Sequence, residues 1–324
     1  MKKKVIIGLA LTAMMTVTAA CSEEKVDYTV AISQVVEHPS LDATREGFLK
    51  AFEDAGIKVK ADYNNAQGDP NNYKSIAETI ASSKADLALG IATPTSQALV
   101  EAITDKPVLF AAITDPVDAG LVPKLQAPGG NVTGASDLDP QSITDLMEFI
   151  AKEFPNVKKV GTVINESEDN SVIMSGIAAE ALAKHGIEYV KAAVANSSDV
   201  QQAAQSLVGR VDAIYIALDN TAVEGLDAII DVAEENDIPF FSADRDTVVR
   251  GAFATIGFQY FDHGYEVGQM AIEILKDGKN PGEMDVKTPQ KLDFVLNLKA
   301  AKEQGIEVTD AMKAYVKDKA NILE

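Results

Sequence analysis

Only one cysteine, three histidines and no tryptophan occur in the 324 residues. With a single thiol, at Cys21, no intramolecular disulfide can form, so packing alone must hold the fold. His38, His185 and His263 lack the spacing of a metal site, and no metal or cofactor is expected. His185 follows one amphipathic stretch and His263 opens another, which places both at the surface. No G-x-S-x-G is present, and neither G-x-G-x-x-G nor a Walker sequence follows a strand, so an enzyme is not indicated. Basic residues are also scarce: 29 against 49 acidic ones, for a net charge of −20. That balance disfavours nucleic acid and anionic membrane surfaces as partners. The acidic residues are spread along the chain and read as a solvated exterior. No segment approaches the ~20 apolar residues of a membrane helix.

The N-terminus has its own pattern. Lys2, Lys3 and Lys4 precede an apolar run over 5–17 that is too short to span a bilayer, and Thr18, Ala19 and Ala20 are small. Residues 1–20 therefore read as a cleaved export signal. The only cysteine follows at once, an arrangement similar to the bacterial lipobox, whose thiol receives a diacylglyceryl group. Thr18 departs from the leucine usual three positions before that cysteine; a plain secretory signal is the alternative. Acyl chains on Cys21, at about 0.8 kcal/mol per buried methylene, would hold a protein on a membrane by its lipid alone. Residues 22–25 would form a short polar tether.

The remaining chain of about 304 residues is longer than one core usually organises, which favours two domains. Short β-branched runs alternate with stretches of helical period: strand 28–36, helix 41–55, strand 57–63, a helix through Ile76 and Ile80, strand 86–91, a helix from Pro94, strand 107–112. The pattern restarts with strand 157–164, helix 170–185, strand 188–194, helix 198–208, strand 211–218, helix 221–235 and strands 238–242 and 251–257. Such alternation means α/β architecture with two doubly wound, open parallel sheets. Residues 129–140, rich in Gly, Asn, Asp and Pro, form the first passage between them.

In open α/β sheets ligands bind beyond the carboxyl ends of the strands. Those ends are polar here: Ser33 and Gln34; Thr93, Thr95 and Ser96; Thr114 and Asp115; the 165–171 loop; Asp219 and Asn220; Ser242 and Asp244. Each cluster could be no more than a helix cap. Their repetition at nearly every strand end of both halves points instead to one cleft.

An ordered series of strings resembles a known family. Q-V-V-E-H-P-S-L-D-A-T-R-E-G-F occupies 34–48, A-Q-G-D 66–69, I-A-T-P-T 91–95, F-A-A-I-T-D-P-V 110–117, G-N-V-T-G 130–134 and V-D-A-I-Y-I-A-L-D-N-T 211–221. Together they resemble the substrate-binding proteins of ABC importers, in the branch with tryptophan- and phenylalanine-binding lipoproteins. The resemblance implies a type I periplasmic binding protein with a three-strand hinge, working as a monomer with an ABC permease. Further crossings would fall near Phe258 and 289–293, giving one lobe of 21–138 plus 258–292 and another of 139–257 plus 293–324. It also implies an aromatic amino acid as ligand; a branched-chain amino acid or another solute, and a chemosensory role in place of transport, stay open.

A free amino acid needs donors for its carboxylate beside acceptors for its ammonium. Thr93, Thr95 and Ser96 at a helix start suit the carboxylate, with Asn170 and Ser171 as facing donors. Asp219 is the first candidate for the ammonium, since related binding proteins place a ligand-contacting acid there; Asp244 and Asp115 follow. His38, within a recurring family string, is a further candidate contact. Phe110, Phe241, Phe258 and Tyr260 are candidates for an aromatic slot, although phenylalanines in such strands more often belong to the core.

Overall fold

A computed structural model describes residues 26–324; the expected export signal and Cys21 lie outside the described residues. Twelve strands and twelve α-helices follow one another in near alternation. The strands are β1 (Tyr28–Gln34), β2 (Val59–Asn65), β3 (Leu87–Ile91), β4 (Val108–Ile113), β5 (Val132–Ser136), β6 (Lys159–Ile164), β7 (Glu188–Ala193), β8 (Ala213–Ile216), β9 (Phe240–Ser242), β10 (Ala254–Gly257), β11 (Asp293–Asn297) and β12 (Ile322–Leu323). The helices are α1 (Pro39–Asp54), α2 (Pro70–Ser82), α3 (Thr93–Ala102), α4 (Pro140–Glu153), α5 (Asp169–Lys184), α6 (Val200–Leu207), α7 (Asn220–Glu224), α8 (Leu226–Glu235), α9 (Arg245–Arg250), α10 (Tyr260–Leu275), α11 (Leu298–Glu303) and α12 (Asp310–Lys313).

Two sheets result. The first runs β2-β1-β3-β4-β5, all parallel; the second runs β12-β11-β10-β9-β8-β6-β7. In the second, β11 lies antiparallel to β10 and carries β12 parallel to itself, so two reversed strands extend a five-stranded parallel sheet. Each sheet is covered on both faces because successive side chains point opposite ways. Val30 and Ile32 of β1 pack with α1 and α10, while Ala31 between them packs with α2 and α3. In the second lobe Ala213 and Tyr215 of β8 face α4 and α5, and Ile214 and Ile216 face α6 and α8.

The chain passes between the sheets after β5, after β10 and before β11. The first passage is shorter than the 129–140 expected from composition. Its Gly-rich sequence hides β5, five residues buried throughout, and only 137–139 cross. The helix expected over 221–235 breaks at Gly225, where a Cβ would fall 2.7 Å from that of Val200, so the chain turns between α7 and α8 where α6 comes closest.

Helices α1 and α10 touch backbone to backbone. A Cβ on Gly47 would strike the Phe261 carbonyl, one on Gly264 the Thr44 carbonyl, and one on Gly268 the Phe48 carbonyl. This glycine seam fixes the two helices whose N-terminal ends carry His38, Ser40, Tyr260 and His263. Two alanines at strand ends are also constrained: Ala92 at φ 77°, ψ 159° and Ala112 at φ 56°. Left-handed backbone at non-glycine residues is uncommon and gathers at functional sites.

Candidate functional site

The carboxyl ends of the strands of both sheets meet across a cavity of 320 Å³. From the first lobe it is lined by His38, Ser40, Leu41, Ala112 and Thr114; from the second by Asn170, Leu218, Asp219, Asn220, Val223 and Asp244; and from the crossings by Asp137 and Tyr260. A wider hollow of 1180 Å³ on the second lobe, between β7 and α6, is open surface without an unpartnered buried side-chain atom. The smaller cavity has several: His38 Nδ1, Asp137 Oδ1 and Asn170 Oδ1 are sealed from solvent without a hydrogen-bond partner. Unpaired buried polar groups are costly, so their concentration in one cavity marks a place where a ligand completes the bonding.

Hydrogen bonds across the cavity draw the lobes together. Ser40 Oγ donates to Asp244 Oδ2 at 2.6 Å, His38 Nε2 faces Asn220 Oδ1 at 3.5 Å, and Gln97 Nε2 at the rim donates to Asp169 Oδ2 at 3.3 Å. Tyr260 OH donates to Asp137 Oδ2 at 3.3 Å, linking two of the crossings.

Three carboxyl groups line the cavity and no lysine or arginine does. Burial pushes the Asp137 carboxyl up to about 7, against the pull of the Tyr260 hydroxyl. Asp219 is also raised to about 7, first by burial and then by the nearby Glu168 charge, while its backbone hydrogen bonds work the other way. Burial lowers the His38 imidazole below its ordinary value despite Asp244 beside it. The cavity therefore favours a ligand that brings positive charge.

Of the candidates read from the sequence, His38, Thr114, Asn170, Asp219, Asn220 and Asp244 come together in this cavity. Asp219 lines it but spends both carboxylate oxygens locally: Oδ1 accepts from Ala222 N at 2.8 Å, capping α7, and Oδ2 accepts from Asn165 N at 2.7 Å. Asp244 caps α9 through Oδ1 and receives Ser40 and Thr247 on Oδ2. Asn170, expected as a donor, is an acceptor. Its Nδ2 donates to Glu168 Oε2 at 3.2 Å and to the Leu218 carbonyl at 2.8 Å, which leaves only Oδ1 free.

Others lie outside the lining. Gln34 bonds Arg45, Asp42 and the Val36 carbonyl; Thr95 Oγ1 donates to the Ile91 carbonyl; Asp115 Oδ1 caps its own turn through Val117 N and Asp118 N. Thr93, Ser96 and Ser171 stand at the starts of α3 and α5, buried, with hydroxyls that lack partners. Among the aromatic candidates Tyr260 lines the cavity with the Phe258 ring 4.8 Å from its own and tilted by 50°, whereas Phe110 and Phe241 are core residues. His185 is exposed as expected, but His263 is not at the surface. Its Nε2 accepts the Ala112 N–H at 3.0 Å, holding that left-handed residue in the cavity wall, and burial pushes its imidazole down to about 4. Asp137, Ser40 and Glu168 were not singled out from the sequence. Asp137 lies in a Gly-Ala-Ser-Asp run that reads as a turn, and Glu168 precedes a helix, where an acid is ordinarily a solvated charge.

Two α/β lobes with a polar cavity sealed between the carboxyl edges of their sheets define a binding protein for a small solute, with the fold of type I periplasmic binding proteins. The sequence agrees: residues 29–319 match the family described as ABC transporter substrate binding protein, and the chain belongs to that family, which is one of binding proteins and not of enzymes. A tyrosine-binding protein of Clostridioides difficile (strain R20291) is 40% identical over 307 residues, covering 93% of this chain and 88% of its own. The ABC domain from Streptococcus pneumoniae in complex with L-Trp is 31% identical with a TM-score of 0.84, over 90% of this chain and 98% of that one. The ligand-free, open structure of an adhesive substrate-binding protein from Clostridium difficile is 37% identical, yet its TM-score is 0.66, over 91% and 98%. Rotating two lobes apart lowers a whole-chain superposition even when each lobe is conserved. The chain agrees better with the less identical tryptophan complex than with that open structure, in keeping with the hydrogen bonds between its lobes.

Proposed function

We propose that this chain is an extracytoplasmic lipoprotein that captures a free aromatic amino acid, tyrosine, tryptophan or phenylalanine, between its lobes and presents it to an ABC permease. The observation that carries the reading is the pairing of unbonded buried acceptors with a surplus of negative charge in a cavity that contacts both lobes. Asp137 Oδ1 and Asn170 Oδ1 would take the ligand ammonium, with Asp244 beside them. Asp219 would act by holding the 165 loop and α7 in place. The starts of α3 and α5, brought near each other by the Gln97–Asp169 bond, would receive the carboxylate through the hydroxyls of Thr93 and Ser171 and free helix-end amides, whereas the Ser96 hydroxyl packs against Gly90 of β3. Leu41, Leu218, Val223 and Tyr260 supply apolar surface for the ring. The ligands named for the tyrosine-binding relative and the tryptophan complex support the aromatic class.

The two lobes, 21–138 plus 258–292 and 139–257 plus 293–324, would open for entry and close on the ligand, with the chain a monomer. Calorimetry with tyrosine, tryptophan, phenylalanine and leucine tests the ligand class. Saturable binding of an aromatic member, tighter than leucine, is expected; binding of none of the four would sink the reading. Anchoring is tested separately. Cys21→Ser should release active protein from the membrane, and its retention through a carbonate wash would rule out the lipid.

A further inference from the structure

Glu168 does not line the cavity, yet its carboxylate receives five hydrogen bonds, three from Asn170 and Asn220 of the cavity wall and two from Thr221 next in sequence. Oε2 accepts from Asn220 N at 3.1 Å, Asn220 Nδ2 at 2.6 Å and Asn170 Nδ2 at 3.2 Å; Oε1 accepts from Thr221 N at 3.1 Å and Thr221 Oγ1 at 2.7 Å. Glu168 occupies the position before α5 but makes no cap bond to that helix. Its side chain is turned across to the start of α7.

The consequence lies in how the two asparagine amides point. Asn170 gives its two amide hydrogens to Glu168 and to the Leu218 carbonyl. Turning that amide over would set its oxygen against a carboxylate and a carbonyl, acceptor against acceptor, so Oδ1 is the end left free. Asn220 is fixed in the same way through Nδ2, and its Oδ1 looks across the cleft toward His38. With Asp219 and Asp244 beside them, this stretch of the second lobe turns oxygens toward the cavity.

We propose that Glu168 is a positioning residue for specificity: by accepting one amide hydrogen from each of Asn170 and Asn220 it fixes which way both amides face and turns their oxygens toward the cavity, so the site selects a ligand bearing a primary ammonium group. An ammonium offers three N–H donors and no acceptor, which suits such a wall; a ligand lacking the amine leaves the wall unpaired. This selection rests on the amino-acid reading above, whereas the orientation of the two amides does not.

The test therefore has two arms. Without ligand, side-chain amide hydrogen exchange is followed by NMR in protein labelled with 15N-asparagine, the Asn170 and Asn220 signals being identified by substituting each. In the wild type both are protected, and in Glu168→Ala both exchange at least about tenfold faster. With ligand, the affinity ratio of L-tyrosine to 3-(4-hydroxyphenyl)propionate, the same molecule without its amine, is measured by calorimetry. Glu168→Ala should shrink that preference at least about tenfold, the scale of one hydrogen bond to a charged group. A residue that only braces the fold would weaken both ligands alike and leave the ratio unchanged. If Glu168→Ala does not fold, Glu168→Gln, which removes one of the two accepting oxygens, is expected to shift both readouts in the same direction. Freely exchanging amides in the wild type, or an unchanged ratio in a folded variant, overturns the proposal. If the wild type binds no aromatic amino acid, the ligand reading falls, while the exchange arm still decides whether Glu168 orients the amides.

Discussion

Replacing Asp137 by asparagine should make the empty protein more stable and the loaded one weaker. Asp137 is 6% exposed, one of its oxygens has no partner, and burial raises its carboxyl to about 7. In the unfolded chain the same group titrates near its ordinary value of about 4. Between those values the native state holds a proton that the unfolded state has released, so stability falls as pH rises from about 4 to about 7 and stays at its lowest above that window. A displacement of roughly three units corresponds to about 4 kcal/mol at pH 8. The asparagine amide has its own burial cost, so the expected gain is about 2 to 4 kcal/mol, or a Tm higher by roughly 4 to 8 °C for a chain of this size. At pH 5 aspartic acid is already neutral in the fold, and the two proteins should melt within about 2 °C of each other. Affinity should move the other way. Removing one member of a buried charge pair costs about 2 to 5 kcal/mol, at least a 30-fold loss for an amino acid ligand. Calorimetry and thermal melts at pH 5 and pH 8 measure both quantities. A variant less stable than wild type at pH 8, or one that binds tyrosine or tryptophan unchanged, would refute the assignment of Asp137.

Asp219→Ala removes the cap of α7 and strands the Asn165 amide, so urea denaturation at pH 4, where the raised carboxyl is protonated in the fold, should show a loss of about 2 kcal/mol that shrinks as pH rises to 8; an unchanged midpoint at pH 4 would mean that those amides find other partners. Gly264→Ala forces a methyl group against the Thr44 carbonyl in the seam between α1 and α10, and overpacking of this kind typically costs about 1 to 3 kcal/mol. A wild-type Tm for that variant would show that the helices can separate freely. Ser40→Ala deletes a hydrogen bond between the lobes, and small-angle scattering of the ligand-free protein should then give a larger radius of gyration. An identical profile would mean that this bond does not bias closure.

The repeated βα order and the two sheets were legible because each depends on local patterning: β-branched runs such as Lys159–Ile164 and amphipathic stretches such as Pro39–Asp54 carry their own signal, whereas the later crossings came only from the family resemblance. The weaker strands were not. β5 consists of Val, Thr, Gly, Ala and Ser, and only its pairing beside β4 makes it a strand. In the site, the residues at strand ends were visible as a class, but their tasks were not. Asp219 and Asp137 are the same amino acid near the same cavity, and they differ in which backbone amides fold back onto them, a property of loops that meet only in three dimensions. His263 misled for the same reason: its position at the head of a helix reads as exposed until α10 docks against β4.

The third crossing is held in a way that limits how the lobes can move apart. Before it reaches β11, the chain runs along the outer side of β5: Lys287 N donates to the Gly134 carbonyl at 2.9 Å, Ser136 N donates to the Lys287 carbonyl at 2.8 Å, and Ala135 forms an isolated parallel bridge with Lys287. This segment covers the only side of β5 not already paired with β4. An uncovered strand edge invites pairing with another chain. Within this crossing, any bending that opened the cleft would therefore be taken up beyond Lys287, in the stretch up to Asp293. A cut or an insertion there would cost more than a hinge: it would leave a sticky sheet margin on the first lobe, and damage to mobility would surface as aggregation.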